Sequence, residues 1–488
     1  MNDWIVSLLL LGALSSQGGE MPFWATANSF GVMPDGNGGL ALLQVEKGFD
    51  ESKTFQWRVG TSAGMRTDPV KYKDFLVDEL YGSLRWKHLR LDAGLWHPGR
   101  EFMAADTHLG SLSLTGGHSI VSGNARPMPG YSINVEPWNV PFTNGHLQFC
   151  GSFGDYFTTG PRYVTGSMVH NTGLFLKWHI GKRITLTGGA DNYTVWGGKS
   201  QDGRVFRKTF GNYLRVITGM SGGADAESGE QINALGDHRG YELFRFEYRA
   251  DNWTLTLQHD IPYDDKSGLI FRNFPDGVNT ACFSLKDKTG WVSDIVYEYA
   301  NTMFQGGDRE RRLATEEEIA SGSKRLYTDP NTGLVYYVCG GADNYYNNYL
   351  FKSGWTSYGR TIGIPLFFPR GTVEGTWSRE AVTMGVWSNL LKAHHLGISG
   401  SLFKLLPYKL MLTYSESYGT FLDVDYCYDR GSRLETPLRQ FSSAFMLEFP
   451  LYEGIIKVVP AVYYDRGDVL PNLFAATLSI KYSLKNIN

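Results

Sequence analysis

Alternation of apolar and polar side chains, restarted many times along one chain, is the feature that most limits what this sequence can become. It is clearest in YELFRFEYRADNWTLTLQH, residues 241–259. Phe244, Phe246 and Tyr248 fall on one side and Arg245, Glu247 and Arg249 on the other, because successive strand side chains point to opposite faces. Ala250, Asp251 and Asn252 supply a tight turn, and Trp253, Leu255 and Leu257 then oppose Thr254, Thr256 and Gln258. The segment reads as a hairpin with one apolar and one polar face. The pattern recurs in TFQWRVG, FLVDELYGSLRW, LRLDAGL, HLQFCGSF, YKLMLTYS and NLFAATLSIKYSL. Roughly 16 to 20 such strands fit the chain, many of about 9 to 11 residues, the length a tilted membrane strand needs.

A sheet this large leaves edges open to mispairing unless it closes on itself. Closure in water requires the apolar faces to pack together; closure in a membrane turns them to lipid and lines the lumen with the polar faces. Trp86, Trp178, Trp253, Trp291 and Tyr482 sit near strand ends, as interfacial aromatics do. No apolar run approaches the length of about 20 residues that a membrane helix needs. Short turns alternate with long connections, among them 219–239, 302–331, 340–360 and 418–439. The expectation is an all-β chain folded as a large transmembrane antiparallel β-barrel with a few short helices and an occluded lumen, residues 20–488 being one domain. Helical signal is confined to places such as ATEEEIAS, where Thr315 and Glu318 have capping-box spacing.

The one continuous apolar run, WIVSLLLLGAL (Trp4–Leu14), has the length of an export-signal core. Residues 1–19 are therefore expected to be a signal peptide, although Met1-Asn2-Asp3 lacks the usual basic residue. A buried N-terminal strand or helix is the competing reading. Charged residues make up 19% of the chain, below the usual share of about 25%. The net charge of −3 supplies no surface for nucleic acid. Cys150, Cys282, Cys339 and Cys427 form no metal-ligating pattern, and no cofactor or metal is expected.

The polar faces place Arg58, Glu79, Arg85, Arg90, Asp92, Arg245, Glu247, Arg249, Asp294 and Glu298 toward the lumen. A selective pore favours one sign of charge, whereas these signs are mixed. A network built on Arg90, Asp92, Arg245, Glu247, Arg249 and Asp294, cross-linking a filled interior, is the expectation; a merely solvated wall is the alternative. Asp78 falls on the otherwise apolar side of its strand, with Leu76, Leu80, Leu84 and Trp86.

The segment from Lys87 to Tyr163 is the most decorated in the chain. Between two strands it carries Trp96, His97, Arg100, His108, Asn124, Arg126, Tyr131 and Trp138. Sugar recognition uses aromatic faces for C–H patches and planar polar groups for hydroxyls, and Arg forks suit acidic sugars. These residues are candidate polysaccharide contacts. Pro98, Pro127 and Pro129, with many glycines, equally suit a rigid loop folded into the lumen, with Arg126 paired to Asp92 or Glu79. A second candidate platform is ADNYYNNYLFKSGW, with Tyr345, Tyr346 and Trp355.

GLWHPGREF, GGHSIVSGNARPMPGYS and PFTNGHLQF resemble the Wzi family of outer-membrane capsule-assembly proteins, most specifically between Leu89 and Tyr163. The resemblance implies a barrel of roughly 18 strands closed at its mouth. It also implies a lectin-like role, binding exported capsular polysaccharide at the surface of a Gram-negative cell without bond chemistry. Expected partners are that polysaccharide, outer-membrane lipid and the capsule export machinery, with the barrel a monomer. The competing classes are a small-solute channel and a barrel-embedded hydrolase. For the latter, Asp264-Asp265 reads better as a turn, Glu316–Glu318 as a helix first turn, and His118-Ser119 would diverge on a strand. No G-x-S-x-G, Walker loop or H-E-x-x-H occurs.

Overall fold

The computed structural model describes residues 4–17, 19–68, 72–97, 106–107, 109–116, 118–224, 226–227, 230–231, 234–264, 271–307, 311–322, 326–329, 332–338, 343–369, 385–420 and 433–485. Its body is a closed antiparallel barrel of 18 strands. The first half comprises β1 (Trp4–Ser15), β2 (Gly38–Lys47), β3 (Phe55–Asp68), β4 (Tyr72–Trp86), β5 (Leu89–Leu95), β6 (Gly130–Asn139), β7 (Leu147–Phe157), β8 (Met168–Ile180) and β9 (Ile184–Trp196). The second comprises β10 (Asp237–Arg249), β11 (Trp253–Tyr263), β12 (Gly277–Leu285), β13 (Asp294–Asn301) and β14 (Leu391–Leu402). It is completed by β15 (Leu406–Gly419), β16 (Arg433–Leu447, continued by Phe449–Leu451), β17 (Ile456–Gly467) and β18 (Leu473–Lys485). Strand lengths range from 7 residues in β5 to 15 in β4.

Each strand pairs with its sequence neighbour, and β1 completes the ring. Its partners are β2, from Trp4↔Lys47 to Ala13↔Gly38, and β18, from Ile5↔Lys485 to Ser15↔Ala475. The run Trp4–Leu14 is thus paired along both of its edges as a wall strand. The run is apolar on both sides because Leu8, Leu10 and Leu14 face outward while Leu9, Leu11 and Ala13 pack against the filled interior. A strand with lipid on one face and a packed interior on the other reads as a continuous apolar run.

The outward face is the apolar one. Phe474, Leu478, Ile480, Tyr482 and Leu484 of β18 are all exposed, as are Leu174, Leu176, Trp178 and Ile180 of β8. Without a lipid phase such a surface would be costly, at about 25 cal/mol per Å² of apolar area. The connections 87–88, 140–146, 181–183, 250–252, 286–293 and 403–405 lie at one end of the barrel; the longer connections after β1, β5, β9 and β13 leave from the other. Short turns face the periplasm and long connections the cell surface in outer-membrane barrels. Trp86, Trp138, Trp178, Trp253, Trp291 and Tyr482 all fall at the short-turn end, forming one interfacial girdle.

The long connections do not simply project outward. Residues 19–30 with helix α1 (Phe23–Thr26), residues 112–116 and 118–125, and residues 345–368 pack together inside the upper barrel. Phe23, Trp24, Leu114, Ile120, Tyr345, Tyr346, Phe351, Trp355, Ile364 and Phe367 share one core with Ala300, Ala393, Ala444, Ala461 and Ala475 of the wall. Small wall residues leave the volume that the large plug side chains fill.

Inward wall carboxylates latch this plug. Glu298 of β13 accepts from Ser113 Oγ at 2.8 Å, Thr115 Oγ1 at 2.9 Å and the Leu114 amide. Asp260 of β11 accepts from the Ser119 amide at 2.9 Å, and Asp465 of β17 from the Phe23 amide at 2.7 Å. His395 of β14 donates through Nε2 to the Leu112 carbonyl at 2.7 Å, while Thr413, which accepts from Trp24 Nε1, donates to His395 Nδ1. Gly397 is the wall residue beside that contact: a Cβ there would meet the Leu112 oxygen at 2.3 Å.

Candidate functional site

The site at the upper mouth begins with a bulge. In β4, Ser62 pairs with Glu79 but Ala63 pairs with Val77, so Asp78 is an extra residue in the ladder. A bulge changes the side-chain alternation and re-aims the residues beyond it. Leu76 therefore points inward, with Leu40 and Leu42, while Leu80 and Leu84 point outward. This corrects the single apolar face that simple alternation assigned to Leu76, Leu80 and Leu84. It also explains Asp78, which sits beside Glu79 on the lumen side and is 5% exposed.

His97, just beyond β5, closes on this pair. Its Nε2 lies 2.9 Å from Asp78 Oδ1, and its amide donates to Glu79 Oε1 at 3.0 Å. The ring stacks on Phe30, with centroids 3.6 Å apart. Arg126 donates to the Val77 carbonyl and lies over the Tyr358 ring at 5.4 Å. The loop at Gly31 runs between Arg126 and Arg360. With a φ of +64° there, and Arg126 Cγ 3.0 Å from where a Cβ would stand, glycine is the fitting residue. Arg66 donates to the Gly31 carbonyl at 3.0 Å, and Arg360 pairs with Asp35 at 2.6 Å. The mouth thus gathers guanidinium groups, carboxylates, an imidazole and the exposed Tyr358 ring, groups able to hold anionic and planar polar ligands.

Beneath the plug the lumen is hollow. A cavity of about 510 Å³ is lined by Arg90, Asp92, Trp96, His118, Tyr156 and Asp191, among others. Another, of about 990 Å³, is lined by residues such as Trp24, Glu46, Lys409, Glu448 and Lys481. Burial holds the His118 imidazole down to about 3, so it is neutral, stacked on Tyr241 at 4.2 Å. Its Nδ1 accepts from the Val121 amide, and it lies in a loop with Ser119 rather than on a strand.

The charged residues of the wall pair in separate groups. Asp92 accepts from Arg90 Nε at 2.9 Å and Arg58 at 3.2 Å, and Arg90 continues to Glu136 at 3.0 Å. Arg245 and Arg249 both pair with Glu247, at 3.3 and 2.5 Å. Asp294 pairs with Lys288 at 2.5 Å and accepts from Ser399 Oγ at 2.9 Å. Asp92 is thus held by Arg58 and Arg90, and Arg126 goes to a backbone carbonyl instead.

The candidate sugar contacts divide sharply. His97 and Arg126 stand at the mouth, and Trp96 lines the lower cavity. Asn124 is buried and donates to the Thr361 carbonyl at 3.0 Å. Tyr345, Tyr346 and Trp355 are each 1% exposed, with no ring face for a sugar. Tyr345 donates to Asp276 at 3.1 Å, Tyr346 to the Ser119 carbonyl, and Trp355 Nε1 to the Ile120 carbonyl at 2.6 Å. These rings are plug core, which corrects the platform reading. Tyr131 points to the outer wall, donating to Asp155 at 2.9 Å, and Trp138 belongs to the girdle, stacked on His88. Arg100 and His108, like Cys339, Cys427 and Asp265, lie outside the described residues. Cys150 and Cys282 are buried thiols. Phe30, Arg66, Tyr358 and Arg360 carried no local signal, because only the tertiary fold brings Phe30 onto His97, Tyr358 under Arg126, and Arg66 and Arg360 to the loop at Gly31.

No family model matches the sequence, and no curated protein matches it. Among solved structures it is similar to Wzi of Escherichia coli, an outer-membrane protein involved in group 1 capsule assembly and described as a carbohydrate-binding β-barrel. The TM-score is 0.55 at 12% identity, over 98% of this chain and 83% of that one. OccK2 of Pseudomonas aeruginosa in complex with glucuronate gives 0.47 at 11% identity, covering 99% of this chain and 98% of that one. OccAB2 of Acinetobacter baumannii gives 0.45 at 10% identity, covering 99% and 98%. Closed ring, apolar outer wall and barrel likeness lead to one conclusion: this chain folds as an 18-stranded β-barrel of the outer-membrane type.

Proposed function

We propose that this barrel is not an enzyme but a surface anchor that binds an exported acidic polysaccharide, of capsular type, through its mouth. The observation that carries the reading is the plug. A single packed core spans the upper lumen and is tied by Glu298, Asp260, Asp465 and His395 to strands on different parts of the wall. A barrel closed this way presents a rigid upper surface, and rigid elements hold ligand contacts more accurately than mobile loops. That surface offers Arg126, Arg360, His97 and Tyr358. The carbohydrate-binding description of Wzi accords with this reading.

The test uses purified full-length protein and acidic polysaccharides. Arg126→Ala and Arg360→Ala are expected to retain heat-modifiable migration and lose binding, and cells without the protein to secrete polysaccharide but shed it into the medium. Unchanged polysaccharide attachment in such cells, with lost uptake of a small solute, would sink the proposal.

A second reading, a gated solute channel, is favoured by the hollow lower lumen, where cavities of about 510 and 990 Å³ lie under the plug. It predicts ion conductance of the wild-type protein in a planar bilayer, whereas the anchor predicts a silent barrel.

A further inference from the structure

Outside the wall, at the cell-surface end, the connection between β9 and β10 builds helix α2 (Phe210–Thr218). Its start is capped by Thr209 Oγ1, which accepts from the Asn212 amide at 3.2 Å, and its end by Gly219 in the left-handed region, φ 61°. One side seats on the barrel. Tyr213 stacks on Trp196, with centroids 5.5 Å apart, and donates to Asp155 at 2.7 Å, while Val216 packs with Trp196 and Leu235. Asp155 and Trp196 are on the outward face of β7 and β9, opposite in parity to inward Cys150 and Val195. The helix therefore lies against the outside of the barrel, level with the outward rings of Tyr131 and Phe157 at the upper strand ends.

The other side is unpartnered and apolar. Phe210 is 76% exposed and Leu214 47%, one helical turn apart, flanked by Val205 at 65% and Met220 at 59%. The segment leading into the helix, with the helix itself, is basic, and Glu227 of the same connection lies 3.6 Å from Arg204. Residues 198–220 hold Lys199, Arg204, Arg207, Lys208 and Arg215 against Asp202 alone, a net of +4 in a chain of net charge −3. Arg204 pairs with Asp202 at 3.1 Å, and Lys208 Nζ donates to the Gly166 carbonyl at 2.8 Å.

We infer that α2 and the segment before it form a lipid-docking surface on the outer leaflet. Phe210, Leu214 and Met220 enter the acyl region, and Lys199, Arg207, Lys208 and Arg215 hold the phosphates of anionic lipid headgroups. An amphipathic helix with an apolar face and a basic margin binds in the interface plane, by apolar burial plus attraction to anionic lipid. A soluble polyanion would satisfy the cations and leave Phe210 and Val205 in water, so lipid is the occupant that uses both halves of the surface.

The experiment places the full-length protein in phosphatidylcholine vesicles with spin-labelled phosphatidylglycerol or spin-labelled phosphatidylcholine, and reads the motionally restricted lipid fraction. The wild type is expected to prefer phosphatidylglycerol several-fold. Each basic residue contributes up to about fivefold near a charged surface. Lys199→Gln/Arg207→Gln/Lys208→Gln should bring the ratio near one, as should high salt with the wild type. Phe210→Ser/Leu214→Ser should reduce the restricted fraction for both lipids. Heat-modifiable migration establishes that each variant is folded. Equal association of both lipids with the wild type, or an unchanged preference in the triple variant, overturns the inference. So does a triple variant that keeps its lipid preference while losing an acidic polysaccharide.

Discussion

Glu298 offers the sharpest test of how the plug is held. The carboxylate is fully buried and accepts from Ser113 Oγ, Thr115 Oγ1 and the Leu114 amide, with Thr280 Oγ1 at 3.4 Å beside it. Hydrogen bonds to a charged acceptor contribute about 1.5–3 kcal/mol each, and a buried donor left without a partner costs about 1–3 kcal/mol. Glu298→Ala strands the donors of residues 113–115 while letting hydroxyls rotate and water enter. The net loss is about 4 kcal/mol, nearly 1,000-fold in the local opening equilibrium. Glu298→Gln keeps one oxygen but turns an amide N–H₂ toward groups that also donate, for about 2 kcal/mol or roughly 30-fold. Hydrogen exchange read over residues 109–116 should show protection falling in that order, while the strand pairing of β13 with β12 and β14 persists. Planar-bilayer recordings should show current bursts in Glu298→Ala that the wild type lacks. Protection unchanged in both variants would refute the latch. A loss spread equally over wall and plug would refute the claim that the plug opens by itself.

Other expectations are independent of this one. Gly397→Val should destabilise the same insert, since its Cβ would stand 2.3 Å from the Leu112 oxygen, and exchange at residues 109–116 should rise without loss of the barrel. Trp355→Ala should cost about 3–5 kcal/mol, as for other buried Trp truncations, seen as a lowered midpoint in thermal unfolding of the plug. Asp276, in the connection before β12, accepts from the Phe304 and Gln305 amides and from Tyr345, and burial pushes its carboxyl up to about 6. Because the folded state binds the proton more tightly than the unfolded one, this group's contribution to stability falls as pH rises from about 4 to 6 and then levels. Exchange protection at residues 303–305, corrected for intrinsic rates, should decline over that interval and lose the trend in Asp276→Asn. The polysaccharide binding proposed for Arg126 and Arg360 should weaken as ionic strength rises from about 0.05 to about 0.5 M.

The hairpin at 241–263 shows how far reading along the chain reaches. Phe244 outside, Arg245 and Glu247 inside, and the turn at Ala250–Asn252 come from the period of two alone, and the structure repeats them. The same rule failed in β4, because a one-residue bulge at Asp78 inverts the alternation and leaves no mark in composition. At Trp4–Leu14 it left two readings open, because an export-signal core and a strand apolar on both faces have the same pattern. At the candidate site, Trp96, His97 and Arg126 belonged to a visibly unusual loop. Tyr345, Tyr346 and Trp355 looked equally suited to sugar, since an aromatic cluster reads the same whether it coats a surface or fills a core.

Strand period and turn positions were enough to establish a large all-β chain of repeated hairpins, because each is a local property of consecutive residues. The tertiary structure alone decided which loops turn inward, which carboxylate meets which amide, and which arginines share the mouth. Those contacts join Arg360 to Asp35, Glu298 to Ser113 and Asp465 to Phe23, residues hundreds of positions apart in places, and only ring closure sets their distance.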